Sequence, residues 1–140
     1  MTKVLEPPVS PGTEPFWDAT RDRTFVLPWC RECDRAMWYP REVCPACWSS
    51  AIDWRPAAGT GAVYAVAVHH LPGPGRDASD GTYAVALVDL AEGVRMMSNV
   101  VHCPPEGVVV GMPVQVTWQA LSDGRHLPLF EPSSHRSPAS

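Results

Sequence analysis

Four cysteines carry the chemistry most open to reading in this sequence. Cys30-Arg-Glu-Cys33 and Cys44-Pro-Ala-Cys47 are two Cys-x-x-Cys knuckles separated by ten residues, and each presents two thiolates to one ion from a tight turn. Four sulfurs at about 2.3 Å in a tetrahedron satisfy zinc and leave no ligand position for water, which makes a structural site and not a catalytic one. The pattern predicts one zinc ion held by Cys30, Cys33, Cys44 and Cys47. A single iron centre suits the same thiolates, but nothing in the sequence suggests electron transfer. The fifth cysteine, Cys103, lies in VVHCPPEG without an adjacent ligand pattern and reads as an inert thiol.

The remaining reactive side chains form no constellation. His69 and His70 end a strand-like run, so they point to opposite faces and at most one enters a given pocket. His102 and His126 are weaker candidates, since spacing places no carboxylate or nucleophile beside any of the four. No catalytic residue is assigned, and the chain is not expected to be an enzyme on its own. Trp29, Trp38, Trp48 and Trp54, with Tyr39, surround the knuckles, either as the shell of a metal site that lacks an aliphatic core or as anchors for a partner protein. Phe16, Trp17, Trp38 and Tyr39 are the candidate partner contacts.

Composition narrows the function classes. The 140 residues have a formal net charge of -4, and their 11 basic side chains are scattered, which disfavours a nucleic-acid partner. No segment reaches the roughly 18 to 20 uncharged apolar residues of a membrane span, and the polar, proline-rich start lacks a signal-peptide core. A cytoplasmic location is expected, where paired cysteines hold metals more often than they form disulfides.

These side chains must be positioned by few elements. Residues 1–26 read as an extended arm followed by a short helix, in which Thr13 caps and the pair Phe16 and Trp17 must be buried somewhere. Residues 27–56 hold the knuckles in a stretch too short to build its own core, so metal ligation has to replace it. From residue 57 to 132, runs such as GTGAVYAVAVHHL, TYAVALVDL, VRMMSNVV and PVQVTWQAL are strand-length and rich in Val, with Glu92-Gly93 as a tight hairpin connection. The first two are apolar on both alternating faces, as in a small closed barrel with something packed outside, for which the knuckle region or the helix are the available covers. Residues 71–81 read as a long exposed loop and 133–140 as a disordered tail.

The ordered set of features resembles the family known as domain of unknown function 35. The residues that carry the resemblance are Thr13-Glu-Pro-Phe-Trp, Cys30-x-x-Cys33, Tyr39-Pro-Arg, Cys44-Pro-x-Cys47, Gly59-Thr-Gly61, Tyr83-Ala-Val-Ala-Leu-Val, Glu92-Gly93, Val110-Gly-Met-Pro-Val and Leu129-Phe-Glu-Pro. Asp34 stands where the family usually has glycine, and Tyr39 replaces the first proline of its Pro-Pro-Arg. The resemblance implies a mainly β chain: a short N-terminal helix, a rubredoxin-like zinc ribbon and a five-stranded OB-fold barrel. It also implies a non-catalytic accessory subunit of a thiolase-superfamily enzyme (thiolase, acyltransferase or retro-aldolase) acting on acyl-CoA thioesters, including those of steroid side-chain degradation, with acyl-CoA at the shared interface. Two alternatives stand beside it: a zinc-ribbon OB module for single-stranded nucleic acid, for which the basic funnel is missing, and a free-standing acyl-CoA binder using His69 or His70 with Arg76.

Overall fold

The computed structural model describes residues 6–70 and 81–133. Residues 71–80, with Arg76, and 134–140 lie outside the described residues. A 3-10 turn at Pro11–Thr13 runs into helix α1 (Glu14–Thr20). Strands β1 (Val26–Cys30), β2 (Arg35–Ala36) and β3 (Ile52–Pro56) follow, then β4 (Thr60–His69), β5 (Tyr83–Leu90), β6 (Arg95–Val100), β7 (Pro113–Ala120) and β8 (His126–Pro132). Among the described residues no helix is long and apolar enough to cross a membrane.

Glu14 and Pro15 open α1 as expected, but Thr13 does not cap it through its side chain. Its hydroxyl instead accepts the Ser10 N–H at 3.0 Å and donates to the Ser10 carbonyl at 3.1 Å, closing the preceding turn. The described part of the arm is held by the chain itself. Glu6 accepts from the Ser122 hydroxyl at 2.7 Å, and the Pro7 carbonyl accepts from the buried Arg125 at 2.8 Å. Arg125 also stacks over the Trp17 ring, so one cation anchors both arm and helix.

The strands form two sheets. One is antiparallel with order β2-β1-β3, and the other is a closed barrel with order β4-β5-β6-β8-β7, the Greek-key arrangement of an OB-fold. The fifth barrel strand, β8, contains Pro128 and Pro132 and has little strand signal of its own. It is tolerated because its full antiparallel ladder is with β7 alone, from Ala120↔His126 to Val114↔Pro132. Towards β6 it makes a single parallel pairing, Val100↔Phe130, so few N–H donors are needed on that side. The Ser98 hydroxyl closes the remaining gap by donating to the Pro128 carbonyl at 3.0 Å. Gly59 enters the barrel with φ +75, and a Cβ there would meet Val116 Cγ1 at 2.6 Å, which is why this approach excludes larger residues.

Period-two burial follows from the pleat. Ala84, Ala86, Val88 and Leu90 point into the barrel, where Val63, Val114 and Phe130 meet them. The same core continues through Phe25 and Leu27 to Phe16 and Trp17, joining barrel, β1 and α1. Phe25 is the joint, with ring centroids 6.5 Å from Phe130, 6.3 Å from Trp118 and 6.4 Å from Phe16. Helix α1 packs on β8 and β1.

Phe130 is fully buried where barrel and joint meet. Phe130→Ala is expected to destabilise the chain by about 3–5 kcal/mol, read as a lower denaturation midpoint in urea.

Candidate metal centre

Each knuckle leaves a short strand or loop and ends in a left-handed residue. The first follows β1, whose last residue is Cys30, and Asp34 after Cys33 has φ 55. The second ends at Cys47, and Trp48 after it has φ 65. Asp visits this region more readily than most residues, so the first knuckle closes without the family's usual glycine. Trp48 has no such tolerance and is held there by the turn, its N–H donating to the Cys44 carbonyl at 2.8 Å.

The two turns bring the four sulfurs together. Cys30 and Cys47 Sγ are 3.7 Å apart, Cys33 and Cys44 Sγ 3.9 Å, and all four lie within 4.8 Å of one another. Sulfurs placed tetrahedrally at about 2.3 Å from an ion would be about 3.8 Å apart, which two of these separations match, so the cluster suits a tetrahedral cation. The Cys33 N–H points to Cys30 Sγ and the Ala46 N–H to Cys44 Sγ, both at 3.4 Å, donors that favour thiolate charge. The metal-free set cannot ionise fully. The Cys33 thiol is pushed up to about 12, chiefly by its hydrogen bond with Cys47. Cys44 is drawn down to about 7, chiefly by the Cys47 backbone N–H. A cation among them relieves this conflict, because it is the charge that four adjacent thiolates lack.

Around the sulfurs, Met37 and Ile52 make a separate small cluster with Cys30, Cys33 and Cys44. Of the aromatics near the knuckles, Trp54 and Trp38 pack against the main core. Trp29 lies under the Arg55 guanidinium and donates its indole N–H to Asp34 at 3.1 Å. Phe16 and Trp17, taken from the sequence as partner contacts, are buried, at 4% and 8% exposure. They belong to the chain's own core because α1 lays them on β1 and β8. Trp38 is half-buried against Phe16, while Tyr39 is 57% exposed. Trp48, absent from that set, is 80% exposed. Its signal in the sequence was its place directly after the last ligand, where a turn turns the side chain outward.

The histidines are distributed otherwise than spacing suggested. His69 stacks on Tyr83 with centroids 4.9 Å apart, and His70 is exposed. His102 has the carboxylate partner that the sequence did not place: its Nδ1 is 2.6 Å from Glu131, which also accepts from Gln115 at 3.0 Å. His126 Nδ1 lies 2.8 Å from the Thr20 carbonyl and ties β8 to the end of α1. Burial pushes the Cys103 thiol up, away from the thiolate.

Two outcomes are expected. Cys30→Ser or Cys44→Ser should lower bound metal below one equivalent per chain by elemental analysis. In the unaltered chain metal should leave as pH falls, since protons compete for the thiolates. Gln115 and then His102 hold the Glu131 carboxyl below the usual carboxylate range. A depressed carboxyl stabilises fully above its unfolded value, about 4.3, and that contribution is lost as pH falls through the folded value. The stability gap between Glu131→Gln and the unaltered chain should therefore be present at neutral pH and close in acid, measured by urea unfolding.

The geometry agrees with what comparison with known proteins finds. Residues 17–53 match the model of the ChsH2 rubredoxin-like zinc ribbon domain, and residues 54–119 that of the ChsH2 C-terminal OB-fold domain. The chain is 37% identical over 134 residues, 94% of its length, to a probable enoyl-CoA hydratase alpha subunit of Thermomonospora curvata. It is 34% identical over 124 residues, 86% of its length, to the 3-oxo-4,17-pregnadiene-20-carboxyl-CoA hydratase alpha subunit of Mycobacterium tuberculosis. It spans 41% and 38% of the length of these two relatives. Among solved structures, a chain of the Ltp2-ChsH2(DUF35) aldolase superposes with a TM-score of 0.79 at 35% identity, over 91% of this chain and 98% of that one. With both halves matched in order and the four thiols gathered as that ribbon requires, the chain belongs to the DUF35 family, pairing a ChsH2-type zinc ribbon with an OB-fold.

Proposed function

We propose that this chain is a non-catalytic accessory subunit of a complex that processes acyl-CoA thioesters, and that its partner is a thiolase-superfamily enzyme of the aldolase, thiolase or acyltransferase kind. The observation that carries this reading is the match over nearly the whole of one chain of the Ltp2-ChsH2(DUF35) aldolase. The hydratase alpha subunits among its relatives act on acyl-CoA by their names, and one name points to a steroid side chain. The division into a ribbon at 27–56 and a barrel at 57–132 belongs to the same proposal.

Within it, Cys30, Cys33, Cys44 and Cys47 hold one zinc ion, which supplies a structural cross-link and no reactive ligand position. A reducing cytoplasmic setting suits such a site, since thiols there stay available to metal. Tyr39, with Trp38 behind it, and Trp48 are the contacts assigned to the partner. A side chain as large as Trp48 that is 80% exposed gains little from its own chain, and its left-handed backbone costs about 1–2 kcal/mol. An aromatic displayed at that cost suits an interface anchor.

Co-expression with the thiolase-superfamily protein encoded nearest to this chain tests the proposal. A stable complex is expected, with carbon–carbon bond cleavage or formation on acyl-CoA that falls when this chain is left out; failure to co-purify would overturn it. Trp48→Gly separates the two roles of that residue. It should raise the stability of the isolated chain by up to about 1 kcal/mol while weakening the complex, read by urea unfolding and by titration of the partner.

A further inference from the structure

Among the described residues, α1 and β1–β3 make their main contacts away from β4, β5 and β6, and the 3-10 turn Pro105–Gly107 touches β5. On β4, β5 and β6 the side chains opposite the barrel interior are Ala65, Ala67 and His69, then Tyr83, Val85, Leu87 and Asp89, then Arg95, Met97 and Asn99. Register aligns them in rows: Ala65 with Leu87 and Met97, Ala67 with Val85 and Asn99, and His69 with Tyr83. The interior side of the same strands is buried at Val63, Ala84, Ala86, Val88, Met96 and Val100. The outer face is thus apolar at Ala65, Ala67, Val85, Leu87 and Met97, with the Asp89–Arg95 pair at one end, while α1 packs on β8 and β1. Met97 is 58% exposed, and Tyr64, the extra residue where the β4–β5 register shifts, is 49% exposed.

The two charges on this face pair with each other. Arg95 donates to Asp89 at 2.6 Å and 3.2 Å, and its guanidinium lies over the Tyr64 ring. The three rows named above contain no lysine or arginine that could hold a phosphate. Beyond Arg95 the face continues into a cleft of 320 Å³ between barrel and ribbon, whose walls include Arg35, Trp38, Pro45 and Val94. Trp38 leads on to the exposed Tyr39.

We infer that the outer face of β4–β5–β6, with the adjoining cleft lined by Arg35 and Arg95, is the docking surface for a protein of different sequence that presents an apolar patch and a protruding segment. This rests on the accessory-subunit reading and names the surface through which it acts. Size and shape select a different protein over a second copy. Three strands about 4.8 Å apart over five residues at about 3.3 Å each give a face of about 250 Å², well short of the about 800 Å² per partner of a stable interface. Two copies meeting face to face would bury only that and leave the cleft empty. A partner that covers the face and fills the cleft reaches onto Trp38 and Tyr39 as well.

The test uses the full chain with the thiolase-superfamily subunit described above. Ala67→Asp and Met97→Asp place a charge at exposed positions of the face, and Val9→Asp places one on the exposed arm. Metal content and far-UV circular dichroism verify that all three fold. The two face variants should bind the partner about 100-fold more weakly, with Val9→Asp unchanged. Equal binding by all variants would overturn the surface and leave the accessory role standing. A chain that binds no partner in its unaltered form would overturn the accessory role and this surface with it. A homodimer of the isolated chain, split by Met97→Asp in light scattering, would make the occupant a second copy and also overturn the proposal.

Discussion

Four sulfurs crowded within 4.8 Å cannot all carry charge unless a cation sits among them, and much of the chain is arranged around that constraint. Residues 27–56 contain little that could hold a fold by burial: the cluster at the knuckles is Cys30, Met37 and Cys44 with Cys33 and Ile52 beside it. In so small a region hydrophobic burial is insufficient, and ligation energy becomes folding energy. The left-handed turns at Asp34 and Trp48 are consequences of the same demand, since each knuckle has to reverse sharply to aim two thiolates at one point.

The second constraint is the aromatic joint. Phe25, between Phe16 and Phe130, makes one core of the helix, the first ribbon strand and the barrel. Because Phe16 and Trp17 are consumed internally, the exposed aromatic rings of the ribbon are Tyr39 and Trp48. The joint also decides which side of the barrel is covered. Helix α1 occupies the side near β8, and among the described residues it leaves the outer face of β4, β5 and β6 to other contacts.

The polar contacts serve placement. Arg125 holds Pro7 and Trp17 together, and His126 fastens β8 to the end of α1. Glu131 gathers Gln115 and His102 on the barrel surface. Each of these links residues far apart in the chain, so none was visible as a spacing.

The sequence by itself determined the two Cys-x-x-Cys pairs, the order of helix, ribbon and barrel, and four of the five barrel strands. Those features are local: a knuckle is four residues long, and a strand's period is set by its own pleat. It did not disclose β8, because Pro128 and Pro132 erase the strand signal and only pairing with β7 restores it. It did not find the partner of His102, which lies 29 residues away. Nor did it sort the aromatics, since Phe16, Trp17, Tyr39 and Trp48 are alike in type and differ only in what packs over them. Burial is a property of the neighbours that a residue acquires on folding, and the tertiary structure alone decided which aromatic rings close the core and which face outward.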